Sequence, residues 1–545
     1  MKRAIQVCAL LLVLLICLSG VSVADYNFPL ETPIKLTLGL SQNNNVTDYD
    51  DNSYTKWLEE GTGIDIEFVL FPSSNADVQT KLNLMVASGD PLPDILTTGL
   101  TETNVYDWGR MGLILPMNDY FAKNEDFKSW CEDVMGVTTS YLLGPVTSLD
   151  GNIYSAPMYA QSYNDETWYR AFINRNWLET LGLDAPKTYD DFLNVLRAFR
   201  DNDPNGNGEA DEIPMLSVSD LGWLQNMFIY YNNVGYYLPL NETDGAVDVA
   251  YDKPEYRDFL VAINSLVKEN LLTPLSWTLD GTQTTALLQA EVSQVGLIVN
   301  GAADAFGSGR SADDYVAFEV PVGPNGAHNF TLRPTAVSYK GVVSSQCKYP
   351  QAAMDLLNIM FDKRFVESPL VARYGEKDVD WRYYDPEKDT DKVGAIPGFD
   401  PYIVQLQTQW GVPSNKLWQV HALTIVSPGT WWIAGVRPET DYNLPAFLYG
   451  ANYGYNRKFA PNAEDLLVTS SFQYTEDEKL AWADMKVALS TYITETRAQF
   501  ALGELDPTND AVWQSYLNEL GKLKYKEILE LDNAANQRKQ AALGN

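Results

Sequence analysis

Apolar and polar positions alternate along the first part of the chain and then give way to helical spacing. Residues 33–45, PIKLTLGLSQNNN, alternate and end in amides, which predicts a half-buried strand followed by a polar loop. Residues 53–71 predict a helix that ends at a glycine cap and then a β-branched strand. Residues 81–99 repeat this plan with a helix that ends at Gly89. This alternation predicts an α/β fold with a mainly parallel sheet covered on both faces.

A second set of elements begins after the turn at residues 150–151. Thr188 and Asp191 have the spacing of a capping box, and residues 192–199 place apolar side chains on one face of the helix that follows. Residues 482–538 also show helical apolar spacing. We therefore predict a new group of helices after the turn, and helices at the carboxyl end that pack on the outside of the fold.

The first residues have the features of an export signal. Lys2 and Arg3 precede a continuous apolar run, and Ala24 stands where a signal peptidase would cleave. The run is well short of the roughly 20 apolar residues that span a bilayer. Lipid attachment at Cys17 is disfavoured because large apolar residues precede it. We expect the mature protein to be exported and to work in the periplasm or at the cell surface.

The charge balance excludes several classes of partner. The chain carries 72 acidic and 39 basic side chains, a formal net charge of −33, with no long run of Lys or Arg. Such a balance repels nucleic acid and anionic lipid, so neither is expected as a partner. Cys131 and Cys347 remain once the signal is removed. One disulfide is therefore allowed, and the sequence does not decide whether it forms.

The acidic turn DNDPNGNGEADEIP, residues 201–214, fits a cation site in two registers. Counted as an EF-hand loop, its ligands would be Asp201, Asp203, Asn205, the Asn207 carbonyl, Glu209 and Glu212. Counted from the third residue, they would be Asp203, Asn205, Asn207, the Glu209 carbonyl, Asp211 and Glu212. Oxygen donors with no His or Cys favour calcium over zinc or copper. A strand pattern follows the loop, so the helix pair of a calcium sensor is not expected.

Several segments together resemble the extracellular solute-binding proteins of bacterial ABC importers, in the branch of long carbohydrate-binding members. The resemblance is spread over nearly the whole mature chain, and its order and spacing make it specific. The segments that carry it are WLEEGTGIDIEF, KLNLMVASGDPLPDIL, DGNIYSAP, NWLETLGLDAPKTYDDF, DPNGNGEADEIP, RYGEKDVDW and YLNELGKLKYKEILEL.

The resemblance implies two α/β lobes of the hinged, type II periplasmic-binding-protein fold, with extra carboxyl-terminal helices. It favours the second register of the acidic loop and a structural calcium ion. We expect residues 1–24 to be the signal peptide, residues 25–155 with roughly 325–400 to form one lobe, and residues 156–324 with roughly 401–545 to form the other. The implied partners are an oligosaccharide or another carbohydrate and a membrane permease, and a monomer is expected.

A ligand in such a fold lies beyond the carboxyl ends of the strands, in the cleft between the lobes. Amide side chains that follow strands suit sugar hydroxyls, and aromatic rings stack on the apolar face of a sugar. Trp431 and Trp432 lead the aromatic candidates, because adjacent residues in an extended segment point to opposite sides and one of the two should be free of the core. The full set of candidates is Trp431, Trp432, Trp223, Trp277, Trp168, Tyr159, Asn44, Asn45 and Asn300.

The alternative function is a secreted carbohydrate-active enzyme, either a glycoside hydrolase or a lyase. With 72 acids, two carboxylates at a glycosidase spacing would arise by chance, so acid content does not favour catalysis. Only His328 and His421 could serve as imidazole bases, and the sequence has no nucleophile elbow or zinc motif. We therefore expect a binding protein without catalytic activity.

Overall fold

The computed structural model describes most of the chain beyond the predicted signal. The described residues are 28–135, 138–148, 150–159, 170–218, 221–231, 237–238, 246–300, 314–332, 337–390, 402–407, 409–410, 412–423, 444–460 and 472–543. The signal peptide expected at residues 1–24 therefore lies outside the described residues, and its cleavage stays a prediction.

The first sheet is built around the predicted strand–helix–strand start of the chain. Strand β1 (Ile34–Ser41) pairs in parallel with β2 (Ile64–Phe71) and with β3 (Ile95–Leu96). Strand β9 (Val337–Val343) runs antiparallel to β3, and β4 (Ala156–Tyr159) runs antiparallel to β9. The strand order is β2-β1-β3-β9-β4.

The second sheet has the order β6-β7-β5-β8. Strands β6 (Ile213–Ser217) and β7 (Val295–Val299) are parallel. Strand β5 (Ala171–Asn174) runs antiparallel to β7 and to β8 (Tyr315–Ala317). A separate short ribbon pairs β10 (Trp381–Tyr383) with β11 (Ile403–Gln405).

Both sheets are mixed, whereas the sequence pattern predicted a mainly parallel sheet. Within the first sheet, β1 to β3 end at one edge, while β9 begins at that edge. A strand that enters a sheet from the other lobe starts where the local strands finish, so it runs antiparallel to them. Local apolar spacing identifies such a strand but does not give its direction.

The helices follow the caps that the sequence provides. Gly63 and Gly89 are left-handed caps with φ of 73° and 75°. A glycine cap was predicted for each helix, and Gly63 rather than Gly61 provides the first. The capping box between Thr188 and Asp191 is also present. In chain order the α-helices are α1 Ser53–Thr62, α2 Asn75–Ser88, α3 Glu102–Arg110, α4 Asn118–Lys123, α5 Glu125–Ser129, α6 Thr139–Leu143, α7 Arg175–Leu181, α8 Tyr189–Asp201, α9 Gly222–Gln225, α10 Pro254–Lys268, α11 Gly281–Leu288, α12 Pro350–Leu357, α13 Ser368–Tyr374, α14 Leu444–Asn456, α15 Glu476–Leu502, α16 Asp510–Lys522 and α17 Tyr525–Leu543.

Two large apolar clusters form the cores of the two lobes. The first surrounds the first sheet and includes Trp418 and Leu423, and the second surrounds the second sheet and includes Leu332. The sequence assigned residues 401–423 to the second lobe and residues 325–332 to the first. The packing differs at both places, because apolar spacing does not say which of two cores a residue joins.

The predicted carboxyl-terminal helices pack against the second cluster, and a buried carboxylate fixes them there. Asp532 on α17 accepts hydrogen bonds from Tyr237 Oη, from Tyr474 Oη at 2.6 Å and from Trp482 Nε1 at 2.7 Å. Lys486 donates to Tyr237 Oη at 3.2 Å and lies 4.6 Å from the centre of that ring. Burial raises the pKa of the Asp532 carboxyl to about 8. These contacts join α15, α17 and Tyr237 into one unit.

We expect Gly296→Ala to lower the free energy of unfolding by about 1–3 kcal/mol, because a new methyl would overpack the core. Gly296 lies in β7, and an added Cβ would be 2.3 Å from Phe199 of α8 and 2.9 Å from Trp177 of α7. Gly521→Ala on α16 is the matched control, since an added Cβ there meets nothing within 4 Å. It should raise stability by roughly 0.5–1 kcal/mol. Urea midpoints that are equal for Gly296→Ala and the parent would contradict this packing.

Candidate functional site

The acidic loop connects α8 to β6 and turns through two left-handed glycines. Gly206 and Gly208 have φ of 72° and 79°. The Asp203 carboxylate accepts the N–H of Asn207 at 3.1 Å and the N–H of Gly208 at 2.9 Å. An aspartate directed into its own loop and two glycines at positive φ are what a tight cation-binding turn requires.

The side-chain directions differ between the two registers. Both oxygens of Asp201 bind Arg200, at 2.7 and 2.9 Å, so this carboxylate is engaged outside the loop. Asn205 Nδ2 and Asn207 Nδ2 each donate to Asp211 Oδ1 at 3.1 Å. The polar side chains of the second register therefore converge on the loop interior, while the first residue of the EF-hand register does not.

The electrostatics of the loop suit a positive ion. Glu212 Oε1 is buried and has no hydrogen-bond partner among the described residues. Burial raises the pKa of Glu212, and the charges of Asp211 and Asp203 add to the rise. A hydrogen bond of 2.5 Å from Gln294 lowers the pKa of Asp211. The negative charge around Glu212 is thus not balanced by a positive group in these contacts.

No group of three or more His, Cys, Asp or Glu side chains within the described ranges is arranged to hold a metal ion. In the acidic loop, the amide nitrogens of Asn205 and Asn207 lie against Asp211, where an ion would need the amide oxygens. Rotating each amide by half a turn would exchange nitrogen for oxygen without moving the backbone.

The loop after β1 carries the predicted asparagines of the first lobe. Asn44 is exposed, and the Asn45 N–H donates to Asn43 Oδ1 at 2.9 Å. The Asn45 carbonyl accepts the N–H of Ser414 at 3.0 Å. Residues 414–423, which we call the edge segment, therefore begin beside the carboxyl end of β1.

The edge segment is held by a buried ion pair and by a tryptophan. Lys416 Nζ lies 2.7 and 2.9 Å from the two carboxylate oxygens of Asp380, which is fully buried. The Trp418 ring is also fully buried, and its Nε1 donates to Thr55 Oγ1 at 2.8 Å. The segment ends beside β9, where Lys340 Nζ donates to the Ala422 carbonyl. It thus runs along the edge where β1 to β3 end.

Asn300, the predicted amide of the second lobe, follows β7 directly. It is 9% exposed, and its N–H donates at 3.1 Å to the carbonyl of Arg170, the residue before β5. Because β6 and β7 are parallel, Ser217 and Asn300 lie at the same edge of the second sheet. Asn44, Asn45 and Asn300 therefore lie at strand ends as expected, and their role in ligand binding stays a prediction.

Four of the six predicted aromatic candidates have side chains outside the described residues. Trp431, Trp432 and Trp168 lie outside the described residues, and Tyr159 ends β4 with a side chain that is likewise outside them. Trp277 is partly buried and packs against the second core.

Trp223 belongs to the core of the second lobe. Its side chain is 0% exposed and contacts the rings of Phe192 and Phe318, with centroids 6.0 and 5.5 Å away. A ring with no exposed face cannot stack on a sugar in this conformation, so the burial argues against Trp223 as a platform. The glycine before it suggested a turn, whereas it begins the short helix α9.

The sequence also left two features unpredicted. Lys340 is only 7% exposed within β9, and the signal for it was a lysine inside the apolar strand pattern VSYKGVV. Glu102 on α3 and Lys479 on α15 lie 2.8 Å apart and join the first lobe to the carboxyl-terminal helices. No local pattern marks a pair so distant in the chain.

Two further observations bear on the class of protein. Cys131 and Cys347 are both buried free thiols, so they form no disulfide. Among the helices of the described ranges, none has the length and apolar character needed to cross a bilayer.

Comparison with known proteins identifies the family. The model for bacterial extracellular solute-binding proteins matches residues 43–365, more than half of the chain. One relative is the fructooligosaccharide ABC transporter substrate-binding protein FusA of Streptococcus pneumoniae, 34% identical over 230 residues. Another is the polygalacturonan/rhamnogalacturonan-binding protein YtcQ of Bacillus subtilis, 24% identical over 210 residues. The matches cover 39% and 37% of this chain, and only 40% and 38% of those proteins' lengths.

Solved structures show the same two-lobe fold over nearly the whole chain. FusA in complex with kestose has a TM-score of 0.65 and 21% identity, covering 93% of this chain and 99% of that one. A second FusA structure is of an EF-hand mutant in complex with fructo-nystose, with the same TM-score of 0.65, identity of 21% and coverage of 93% and 99%. A human-milk-oligosaccharide (HMO) binding solute-binding protein from Bifidobacterium longum infantis has a TM-score of 0.72 and 19% identity, covering 93% and 98%. Together with the family match, this fold means that the chain belongs to the bacterial extracellular solute-binding protein family.

Proposed function

We propose that the protein is the substrate-binding component of an ABC importer, which captures a carbohydrate between its lobes and delivers it to a membrane permease. The observation that carries this proposal is the pair of sheets whose parallel strands end in polar residues, Asn44 and Asn45 on one and Asn300 on the other. Ligands of open α/β sheets bind beyond such strand ends. The names of FusA, YtcQ and the Bifidobacterium protein support a carbohydrate as the ligand.

Closure of the lobes would complete the site. The ion pair between Glu102 of the first lobe and Lys479 of the carboxyl-terminal helices shows that the two parts are in contact in this structure. A sugar bound to both lobes would favour the closed state by its differential affinity for it. One of Trp431 and Trp432 is our proposed stacking platform, with Trp277, Trp168 and Tyr159 as the next candidates.

The two histidines of the chain both lie within the described residues. His421 is neutral at pH 7, because burial and the charge of Lys340 lower its pKa to about 4. His328 stacks on Phe459 with ring centroids 3.6 Å apart, and its Nε2 is 2.9 Å from the Val320 carbonyl oxygen. His328 Nε2 also lies 3.7 Å from Glu319 Oε1. The proposal of a protein without catalytic activity is supported by the relatives, which are named as a substrate-binding protein and a polygalacturonan/rhamnogalacturonan-binding protein.

We further propose that the acidic loop holds a structural calcium ion in the second register, with Asp203, Asn205, Asn207, the Glu209 carbonyl, Asp211 and Glu212 as ligands. The engagement of Asp201 with Arg200 and the contacts of Asn205 and Asn207 with Asp211 support this register over the EF-hand register. The buried Glu212 oxygen supports an ion in either register. Calcium would supply the positive charge that the loop lacks, and Gln294 would tie the ligand Asp211 to the start of β7.

The transport proposal predicts binding without turnover. A glycan array followed by calorimetry should identify an oligosaccharide that binds, and X-ray scattering should show a more compact particle when it is added. Chromatography of the recovered ligand should show it unchanged. Cleavage of the sugar that is abolished by a single carboxylate substitution would replace this function with that of a carbohydrate-active enzyme.

The calcium proposal predicts that a chelator lowers the melting temperature, because an ion bound only by the folded loop adds its binding free energy to folding. At a free calcium concentration 100 times Kd this stabilisation is about 2.7 kcal/mol. Asp211→Ala should weaken calcium affinity far more than its control, Asp201→Ala. Equal melting with and without chelator would contradict the ion, and the opposite ranking of the variants would establish the EF-hand register.

A further inference from the structure

Lys340 is a buried cation with no counter-charge among the described residues. Its side chain is 7% exposed, and its one hydrogen bond among the described residues goes to the main-chain carbonyl of Ala422. No carboxylate of the described residues lies within ion-pair distance of Lys340 Nζ, and burial alone lowers the pKa of the ammonium to about 8. Two of its three N–H groups are therefore not used by the described protein.

Two other lysines, which are only partly buried, contact an acid or an aromatic ring. Lys416 binds both oxygens of Asp380 at 2.7 and 2.9 Å. Lys486 donates to Tyr237 and lies within 5.6 Å of the Trp482 ring centre. Lys340 has neither an acid nor an aromatic ring among the described contacts, so its burial is not explained by its own surroundings.

The register of the first sheet puts Lys340 at the ligand edge. Leu96, the last residue of β3, pairs with Val342, so Lys340 lies two residues beyond the carboxyl end of β3. Gly341 confirms this position, since an added Cβ there would be 3.2 Å from Thr97. Lys340 is thus on the edge where β1 to β3 end and where the edge segment passes.

His421, whose pKa is affected by Lys340, is a second polar side chain at this edge. His421 in the edge segment is half-buried, and the positive charge of Lys340 contributes to lowering its pKa. No acid is among the groups that shift either side chain. In a chain of net charge −33, Lys340 therefore places at this edge a positive charge that no acid of the described part of the chain offsets.

We propose that the carbohydrate captured by this protein is acidic, and that its carboxylate binds at the edge formed by Lys340 and His421. This inference rests on the proposed function and names the charge class of its ligand. A carboxylate would accept hydrogen bonds from the unused N–H groups of Lys340. Its negative charge would also compensate the buried ammonium. A sugar hydroxyl could accept the same hydrogen bonds from the ammonium, but it would leave the buried positive charge uncompensated.

The competing role for Lys340 is that of a tether, which holds the end of the edge segment through Ala422. A tether would affect every ligand equally, because it acts through the position of the segment. A carboxylate contact would affect acidic ligands alone. The two roles are therefore separated by how strongly the protein discriminates between a charged sugar and its neutral counterpart.

The test compares matched acidic and neutral oligosaccharides by isothermal titration calorimetry. The probes are trigalacturonate with its fully methyl-esterified form, and sialyllactose with lactose, with kestose as a further neutral sugar. We expect at least one acidic probe to bind 10-fold or more tightly than its neutral partner, and most of the difference to persist as salt is raised, because buried charge pairs are screened little. Lys340→Met should abolish this discrimination, and Lys340→Arg should retain most of it.

Lys486→Met is the matched control, because it removes a partly buried lysine far from the edge. It should lower the melting temperature while leaving the discrimination intact. Neutral probes that bind as tightly as the acidic ones, or an equal loss for both classes in Lys340→Met, would overturn the inference and leave the transport function standing. If the melting temperature of Lys340→Met shows that it does not fold, the comparison of probes on the parent protein decides. Absence of binding to every sugar on a broad glycan array would instead overturn the proposed function.

Discussion

The ion pair between Asp380 and Lys416 holds together the part of the first lobe on which the proposed ligand edge, where β1 to β3 end, depends. Asp380 is fully buried and also accepts from Gln409 Nε2 at 2.8 Å, so its carboxylate ties two segments to one point. Removing either partner would leave an uncompensated charge in the interior, which is strongly destabilising. The edge segment starts from this anchor, crosses the ends of the strands and reaches β9. Its position follows from electrostatics at one end and from apolar packing of Trp418 at its middle.

The acidic loop of the second lobe is stabilised differently from the edge segment. It must reverse the chain between α8 and β6 while several acids lie close together. The backbone N–H groups of Asn207 and Gly208 stabilise Asp203, and Gln294 stabilises Asp211. Glu212 has no such contact for its buried oxygen in the described residues. The backbone of the loop therefore already has its turn conformation, while the charge of Glu212 is not compensated. In such a loop a bound ion would raise the free energy of unfolding more than it would change the backbone conformation.

The sequence predicted the features that depend on near neighbours. The strand before Asn44, the glycine caps, the capping box at Thr188 and the carboxyl-terminal helices are all in place, because each is set by residues within a few positions. The family was recognised for the same reason, from short segments in order. The direction of β9, the core that Trp418 joins and the burial of Trp223 depend on surfaces far apart in the chain. Lys340 was visible as a charge in an apolar strand, but its missing counter-charge is a property of the assembled lobe.

The edge segment affects the order in which the two lobes can fold. Trp418 Nε1 binds Thr55 across 363 positions of sequence, and Asn52 binds the Leu417 carbonyl across 365. A chain made and exported from its amino end presents Tyr54 and Phe68 long before Trp418 arrives to cover them, with ring centroids that finally lie 4.9 and 5.1 Å from it. Contacts between such distant residues form slowly, and the apolar surface that waits for them is exposed to aggregation. The first lobe, although it is begun first, is completed only after most of the second lobe has emerged.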